Sequence, residues 1–249
     1  SKTPAYSKVA NVTNASKFEF SKDGNTLWIG TYSGQIWRVN GLDSAYVDAQ
    51  FDIDSAGTAA YKLTVDQMTI GTSGQTITDI SVDPNDPNKV AITAGGSGGN
   101  NVFYASNALS ATPTFIVKDG NLPNYTVFAC ELLTSPGGNV TMIVGTEFGP
   151  YATDDNLAGT VSWTPVNQET GFVPVYDIRQ QWRGWGDLAS TESEGVKNPG
   201  EVYLGTYGRG IWKSDDVAST NNGDVDPSSI EDAITNITVY PNPMTNSGV

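Results

Sequence analysis

Short runs in which apolar and aromatic residues alternate with polar ones recur along this chain, and glycine-containing turns divide them. A period of two predicts β-strands, whose successive side chains point to opposite faces. Leu27-Trp28-Ile29-Gly30-Thr31-Tyr32-Ser33-Gly34-Gln35-Ile36-Trp37-Arg38 reads as strand, tight turn, strand. Val202-Tyr203-Leu204-Gly205-Thr206-Tyr207-Gly208-Arg209-Gly210-Ile211-Trp212-Lys213 matches it without a gap, with Gly, Thr, Tyr, Ile and Trp identical at equivalent positions. Two looser copies stand between them: Val90 to Gly95, continued by Val102 to Ser106, and Met142 to Thr153. A further strand precedes each copy, at residues 17–20, 77–82, 127–133 and 173–178. Turn residues Asp23-Gly24-Asn25, Asp83-Pro84-Asn85-Asp86-Pro87-Asn88 and Pro136-Gly137-Gly138-Asn139 separate strand from copy. Val161 to Val166 adds an outer strand to one unit.

With Gly30, Gly95, Gly145 and Gly205 as markers, the units step by 65, 50 and 60 residues. Three or four strands returning at that spacing predict an all-β fold, a β-propeller of about four blades. A two-sheet sandwich would not repeat its own sequence. An open arc of four blades would leave an edge strand exposed, which natural folds avoid. The stretch is therefore expected to be the C-terminal part of a larger propeller. The expected division is blades over 1–214, an acidic linker over 215–233 and a short C-terminal β segment over 234–249. That segment is too short to build a sheet of its own and is expected to lie outside the propeller core.

Composition supports strands and turns. Charged residues are 16% of the chain, Gly reaches 27, and Thr, Ser and Asn are plentiful. A hydrophobic fraction of 38% is too high for disorder. The net charge of −14 repels phosphate backbones and anionic membranes, which argues against nucleic-acid partners, and no apolar stretch approaches membrane-spanning length, so no membrane insertion is expected. The single cysteine, Cys130, has no histidine anywhere in the chain to activate it, and is expected to pack as a small apolar residue. No signal peptide begins the chain, so export would imply that a signal has been removed.

The repeats, above all Gly205 to Ser214 together with Val82 to Pro87, resemble the sortilin and BNR-repeat propeller superfamily, which includes sialidases and xyloglucanase-type glycosidases. The resemblance covers roughly residues 16–216 and implies fold more than activity. The Asp-box of that superfamily is worn here: Thr153-Asp154-Asp155, with Trp163 beyond, and Ser214-Asp215-Asp216 are its nearest matches. At the other end, Val239-Tyr240-Pro241-Asn242-Pro243 after a polar linker resembles the start of the C-terminal sorting domain of type IX secretion cargo from Bacteroidota. That resemblance implies a protein secreted or attached to the outer cell surface, with type IX secretion components among its partners. Together the two imply a binding or structural module, adhesin-like or part of a larger assembly, and as the alternative a secreted glycoside hydrolase.

The candidate chemistry is sparse. Glycoside hydrolysis needs two carboxylates facing one cleft. Asp79 and Asp177 hold matching places on the first strands of their units and are the weak candidates; bonding to backbone in a neighbouring blade is the competing role, and no catalytic residue is assigned. Arg38, Arg179, Arg183 and Arg209 are the four arginines, and Arg38 and Arg209 sit in or beside repeat hairpins where structural duty is expected. Trp182, Arg183 and Trp185, set among glycines, form a candidate platform for a sugar ring or a peptide, against wedging between blades. Asp52-Ile53-Asp54 and Asp224-Val225-Asp226 lack the spacing of a full calcium loop, so calcium is a weak option and no metal or cofactor is assigned.

Overall fold

The structure, a computed structural model, describes residues 9–45, 63–72, 74–96, 98–134, 140–153, 157–182, 198, 200–214 and 238–239. These residues form four antiparallel sheets of four strands, each a simple meander. The first contains β1 (Ala15–Phe20), β2 (Thr26–Thr31), β3 (Gln35–Asn40) and β4 (Thr64–Thr69), with a single helical turn α1 (Leu42–Ala45) after β3. The second contains β5 (Ile77–Val82), β6 (Val90–Ala94), β7 (Val102–Ala105) and β8 (Ile116–Val117). The third contains β9 (Val127–Thr134), β10 (Val140–Thr146), β11 (Gly149–Thr153) and β12 (Thr164–Pro165). The fourth contains β13 (Val175–Gln180), β14 (Val202–Thr206), β15 (Gly210–Ser214) and β16 (Thr238–Val239). Strands β1, β5, β9 and β13 are the innermost, and β1 meets β5, β5 meets β9 and β9 meets β13. The described residues thus form four successive blades of a propeller.

Two expectations need correction. Thr238 and Val239 do not stand apart: they pair with Lys213 and Trp212 and supply the outer strand of the fourth blade. A blade that ends at β15 would present an unpaired edge, and two residues of the tail satisfy part of it. Tyr240, Pro241, Asn242 and Pro243 lie outside the described residues. The second correction concerns the repeat marker. Gly30, Gly145 and Gly205 pair with Lys17, Ala129 and Asp177 on the inner strands, and the residue at that register in the second blade is Thr93, opposite Asp79, not Gly95. From Gly30 to Thr93, Gly145 and Gly205 the steps are 63, 52 and 60 residues. Trp37 and Trp212 do hold the same register, opposite Ile29 and Leu204.

The recurring Gly-Thr pair has two physical causes. A Cβ on Gly30 would come 2.4 Å from Ile77 Cγ2, and one on Gly145 would come 2.5 Å from the carbonyl oxygen of Val175. Glycine therefore lets the next blade's inner strand press on the sheet. The threonine clamps the hairpin: Thr31, Thr146 and Thr206 donate through Oγ1 to the carbonyls of Gln35, Gly149 and Gly210 at 3.1, 2.7 and 2.7 Å. Opposite this pair, each inner strand carries a register shift that leaves one bulged residue, namely Ser16, Thr78, Phe128 and Tyr176. The turns between first and second strands are held by Asp23 and Asp83, which accept from the backbone N–H of Asn25 and Asn85 at 3.0 and 2.8 Å.

Three apolar clusters seal the blades to one another. Trp28 and Ile36 pack with Ile80, Val82 and Ile92 between the first and second. Val102 and Tyr104 pack with Cys130, Leu132 and Val144 between the second and third. Ile143 packs with Ile178, Leu204 and Trp212 between the third and fourth. Cys130 is fully buried, as expected of a small apolar residue, and burial pushes its thiol well above the usual range. Arg38 takes the structural role expected of it: it pairs with Asp66 at 2.7 Å and donates to the carbonyls of Ala108 and Ser110 in the next blade.

Candidate functional site

Equivalent register positions on the four inner strands meet at the axis. Lys17, Asp79, Ala129 and Asp177 form one level, opposite Gly30, Thr93, Gly145 and Gly205. Glu19, Ser81, Glu131 and Arg179 form the next, opposite Trp28, Ala91, Ile143 and Tyr203. Beyond the bulge these side chains face the following blade, and several bond to its backbone. Asp79 accepts from Cys130 N at 3.1 Å, Ser81 from Leu132 N at 2.9 Å, and Glu131 from Gln180 N at 3.1 Å. Four carboxyl groups thus share the axis with the two cations Lys17 and Arg179.

The imbalance shows in their protonation. Lys17 lies 3.1 Å from Asp79, and Arg179 lies 3.3 Å from Glu19 and 3.2 Å from Asp177. Burial nonetheless raises the carboxyl groups of Asp79 and Glu19 above their ordinary values, Lys17 and Arg179 opposing the shift at Asp79 and chiefly Arg179 at Glu19. Glu131 is pushed up to about 8, first by burial, against the opposing pull of the Gln180 N–H and of Arg179. A neutral Glu131 accepts from Gln180 N through Oε1 and shares its second oxygen with Ser81 Oγ at 3.2 Å.

A cavity of about 250 Å³ opens where the inner strands end. Glu19, Ser81, Glu131, Arg179 and Gln180 line it from all four blades, and Trp182 closes one side. Lys22 sits 4.8 Å from the centre of the Trp182 ring, within cation–π reach. A second opening, of about 420 Å³, lies beside it between Lys22, Asp23, Asp83, Pro84 and Pro87.

Of the residues expected to carry function, Trp182 lines the axial cavity, while Arg183 and Trp185 lie outside the described residues. Asp79 is fully buried and held by Lys17, Cys130 N and its own neighbour Ile80 N. That is the backbone-bonding role weighed against catalysis. Asp177 is half exposed and paired with Arg179. The Asp52 and Asp224 loops lie outside the described residues. Glu19 and Glu131 were not singled out by the sequence. Their signal is the register relative to the Gly-Thr pair, two residues beyond Lys17 and Ala129, which puts them on one level with Arg179.

No protein-family model matches this chain, and no curated protein matches it. Solved structures do resemble it. Sqt1 from Chaetomium thermophilum superposes with a TM-score of 0.54 at 12% identity, over 89% of this chain and 48% of that one. Sqt1 from the same organism bound to the N-terminus of the ribosomal protein L10 gives 0.51 at 12%, over 81% and 46%. The β-propeller domain of Cps50 (Swd1) from Myceliophteria thermophila overlaps more weakly, with a TM-score of 0.47 at 11% identity, over 88% of this chain and 70% of that one. At these identities the likeness is one of fold. The chain spans about half the length of the two Sqt1 chains.

Proposed function

We propose that this chain is a binding module of an exported protein, a propeller that holds a ligand at its axial mouth and performs no chemistry on it. The observation that carries this reading is the division of labour at the axis. Asp79 and Glu131 are taken up by the backbone of the next blade even though Glu131 lines the cavity, whereas Trp182, Lys22, Glu19 and Arg179 face the cavity or its rim through their side chains alone. An aromatic face flanked by one cation–carboxylate pair suits a monosaccharide unit or a single peptide side chain, and 250 Å³ holds no more than that. A peptide is one of the two ligand classes because Sqt1 is seen with the N-terminus of another protein. A glycan is the other, in keeping with the superfamily that the repeats resemble. Array screening of glycans and peptides against the wild type and Trp182→Ala tests the site: binding without turnover is expected, weakened at least about tenfold by the substitution. Binding that Trp182→Ala leaves intact moves the site elsewhere.

The rival reading, a glycoside hydrolase, draws on Glu131, whose carboxyl is neutral near pH 7 as a general acid must be. Both of its oxygens are already engaged, which favours a structural role. Turnover of a glycan that is lost in Glu131→Gln would decide for the hydrolase.

Export by type IX secretion, with its components as partners and a secreted or surface-attached product, is proposed from the Val239 to Pro243 motif alone. Residues 215–249, extended to the natural C-terminus, are expected to export an inert periplasmic reporter in a Bacteroidota host. A reporter that stays in the periplasm while the native protein leaves it removes the sorting assignment.

A further inference from the structure

We propose that the ligand is a peptide, and that the opening beside the axial cavity takes a lysine or arginine side chain next to the residue held at the axis. The inference rests on the reading of the axial cavity as a ligand site, and it names the ligand class that reading left open. The two openings are continuous, because Lys22 and Pro84 line both of them. At about 420 Å³ the outer one is larger than the 250 Å³ at the axis, and its walls are of two kinds. Pro84 and Pro87 give it apolar sides, and Asp23 and Asp83, from the turns after β1 and β5, give it acidic ones. A basic side chain has the same double character: an apolar stem that packs on such rings, and a charged head that pairs with carboxylates.

The acidic groups of this opening are short of cations. Asp23 is exposed, and among the described residues it forms no ion pair. The Ser21 hydroxyl and the Asn25 N–H hold its carboxyl below the usual range, so it carries its charge. Asp83 is all but buried; its Oδ1 accepts from Asn85 N, while its Oδ2 accepts no hydrogen bond. Lys89 Nζ stands 3.5 Å from that oxygen and 3.7 Å from Asp86, so one ammonium is shared by two acidic side chains at more than hydrogen-bond length. Lys22, the other lysine of the rim, holds its ammonium over the Trp182 ring at the axial end. An incoming ammonium or guanidinium supplies the charge that Asp23 and Asp83 lack. Among the described residues no three acidic groups converge as metal ligands, so an organic cation fits the opening better than calcium. A neutral sugar brings no charge to meet them. The net charge of −14 draws basic peptides toward the chain as a whole.

Selection of a displayed library of random heptapeptides on the full chain tests this. The enriched peptides are expected to share a lysine or arginine, and replacing it by glutamine in the synthetic peptide should weaken binding at least about tenfold. Asp23→Asn removes the charge and keeps an acceptor for Asn25 N, since asparagine suits the same turn. On that variant the same glutamine replacement should cost no more than about twofold, because the partner it acts through is gone. Trp182→Ala separates this inference from the reading it rests on. Selected peptides that bind Trp182→Ala as tightly as the wild type, while their basic residue still couples to Asp23, remove the axial site and leave the basic-residue site standing. A library that yields no binder, binders that share no basic residue, or a glutamine replacement that costs as much in Asp23→Asn as in the wild type overturns the proposal. Calcium that stabilises the wild type against heat but not Asp23→Asn also overturns it, and assigns the opening to a metal.

Discussion

The fold is expected to lose stability as pH rises from 4.5 to about 8, because Glu131 must give up a proton that the folded protein retains. The carboxyl ionises at 4.5 when exposed and at about 8 when buried among Ser81, Gln180 and Arg179. Below 4.5 both states bind the proton and the contribution is fully present. Between the two values only the folded state binds it, so each step up in pH favours unfolding. Above about 8 the contribution is gone. A tenfold difference in proton affinity between the two states corresponds to about 1.4 kcal/mol, so the whole window is worth on the order of a few kcal/mol. Asp79 and Glu19 are raised in the same sense and add to the slope. Glu131→Gln keeps the shape, the acceptor for Gln180 N and a donor toward Ser81, and removes the proton. Urea midpoints measured across this window should fall steeply for the wild type and much less for the variant. Parallel pH profiles for the two proteins would show that Glu131 does not hold the extra proton.

Gly145→Ala is expected to break the junction between the third and fourth blades. Its Cβ would lie 2.5 Å from the Val175 carbonyl oxygen and 2.9 Å from Val175 Cγ1, and backbone cannot swing aside as a flexible side chain does. The third and fourth blades must separate or the strands must shift, at a cost of about 2–3 kcal/mol. Gly205→Ala occupies the same register in the fourth blade, where the nearest atom among the described residues is 3.5 Å away. It should change stability by no more than about 0.5 kcal/mol, and in the stabilising direction, since alanine loses less backbone freedom in a strand. Equilibrium unfolding of both variants gives the comparison. Equal losses would mean that the glycine serves the hairpin itself rather than the junction between blades.

The strands, the four-fold repetition and the turns are legible in the amino-acid sequence. Alternation, Gly-Thr pairs and Asp-headed turns are local signals, readable within a few residues of each element. Asp79 and Asp177 are legible as matching places on the first strands of their units, and the structure puts both at one level, opposite Thr93 and Gly205. The outer strand β4, with its mostly exposed Thr64-Val65-Asp66-Gln67-Met68-Thr69, is not legible in this way, because an edge strand facing solvent has little apolar pattern to show. Thr93 is hidden because the second blade has no glycine at the marker register, and the nearby Gly95 draws the alignment two residues along. Which charges meet is a matter of tertiary structure. Glu19, Glu131 and Arg179 lie far apart in the chain, and the bulge in each inner strand is what turns them toward the axis and the following blade. The same holds for the exposed apolar residues of the first and fourth blades. Phe18 and Ile211 read as ordinary buried strand positions, and nothing local distinguishes an apolar side chain with a neighbouring blade from one without. Burial depends on what lies across the sheet, and that is a property of how many blades surround the axis.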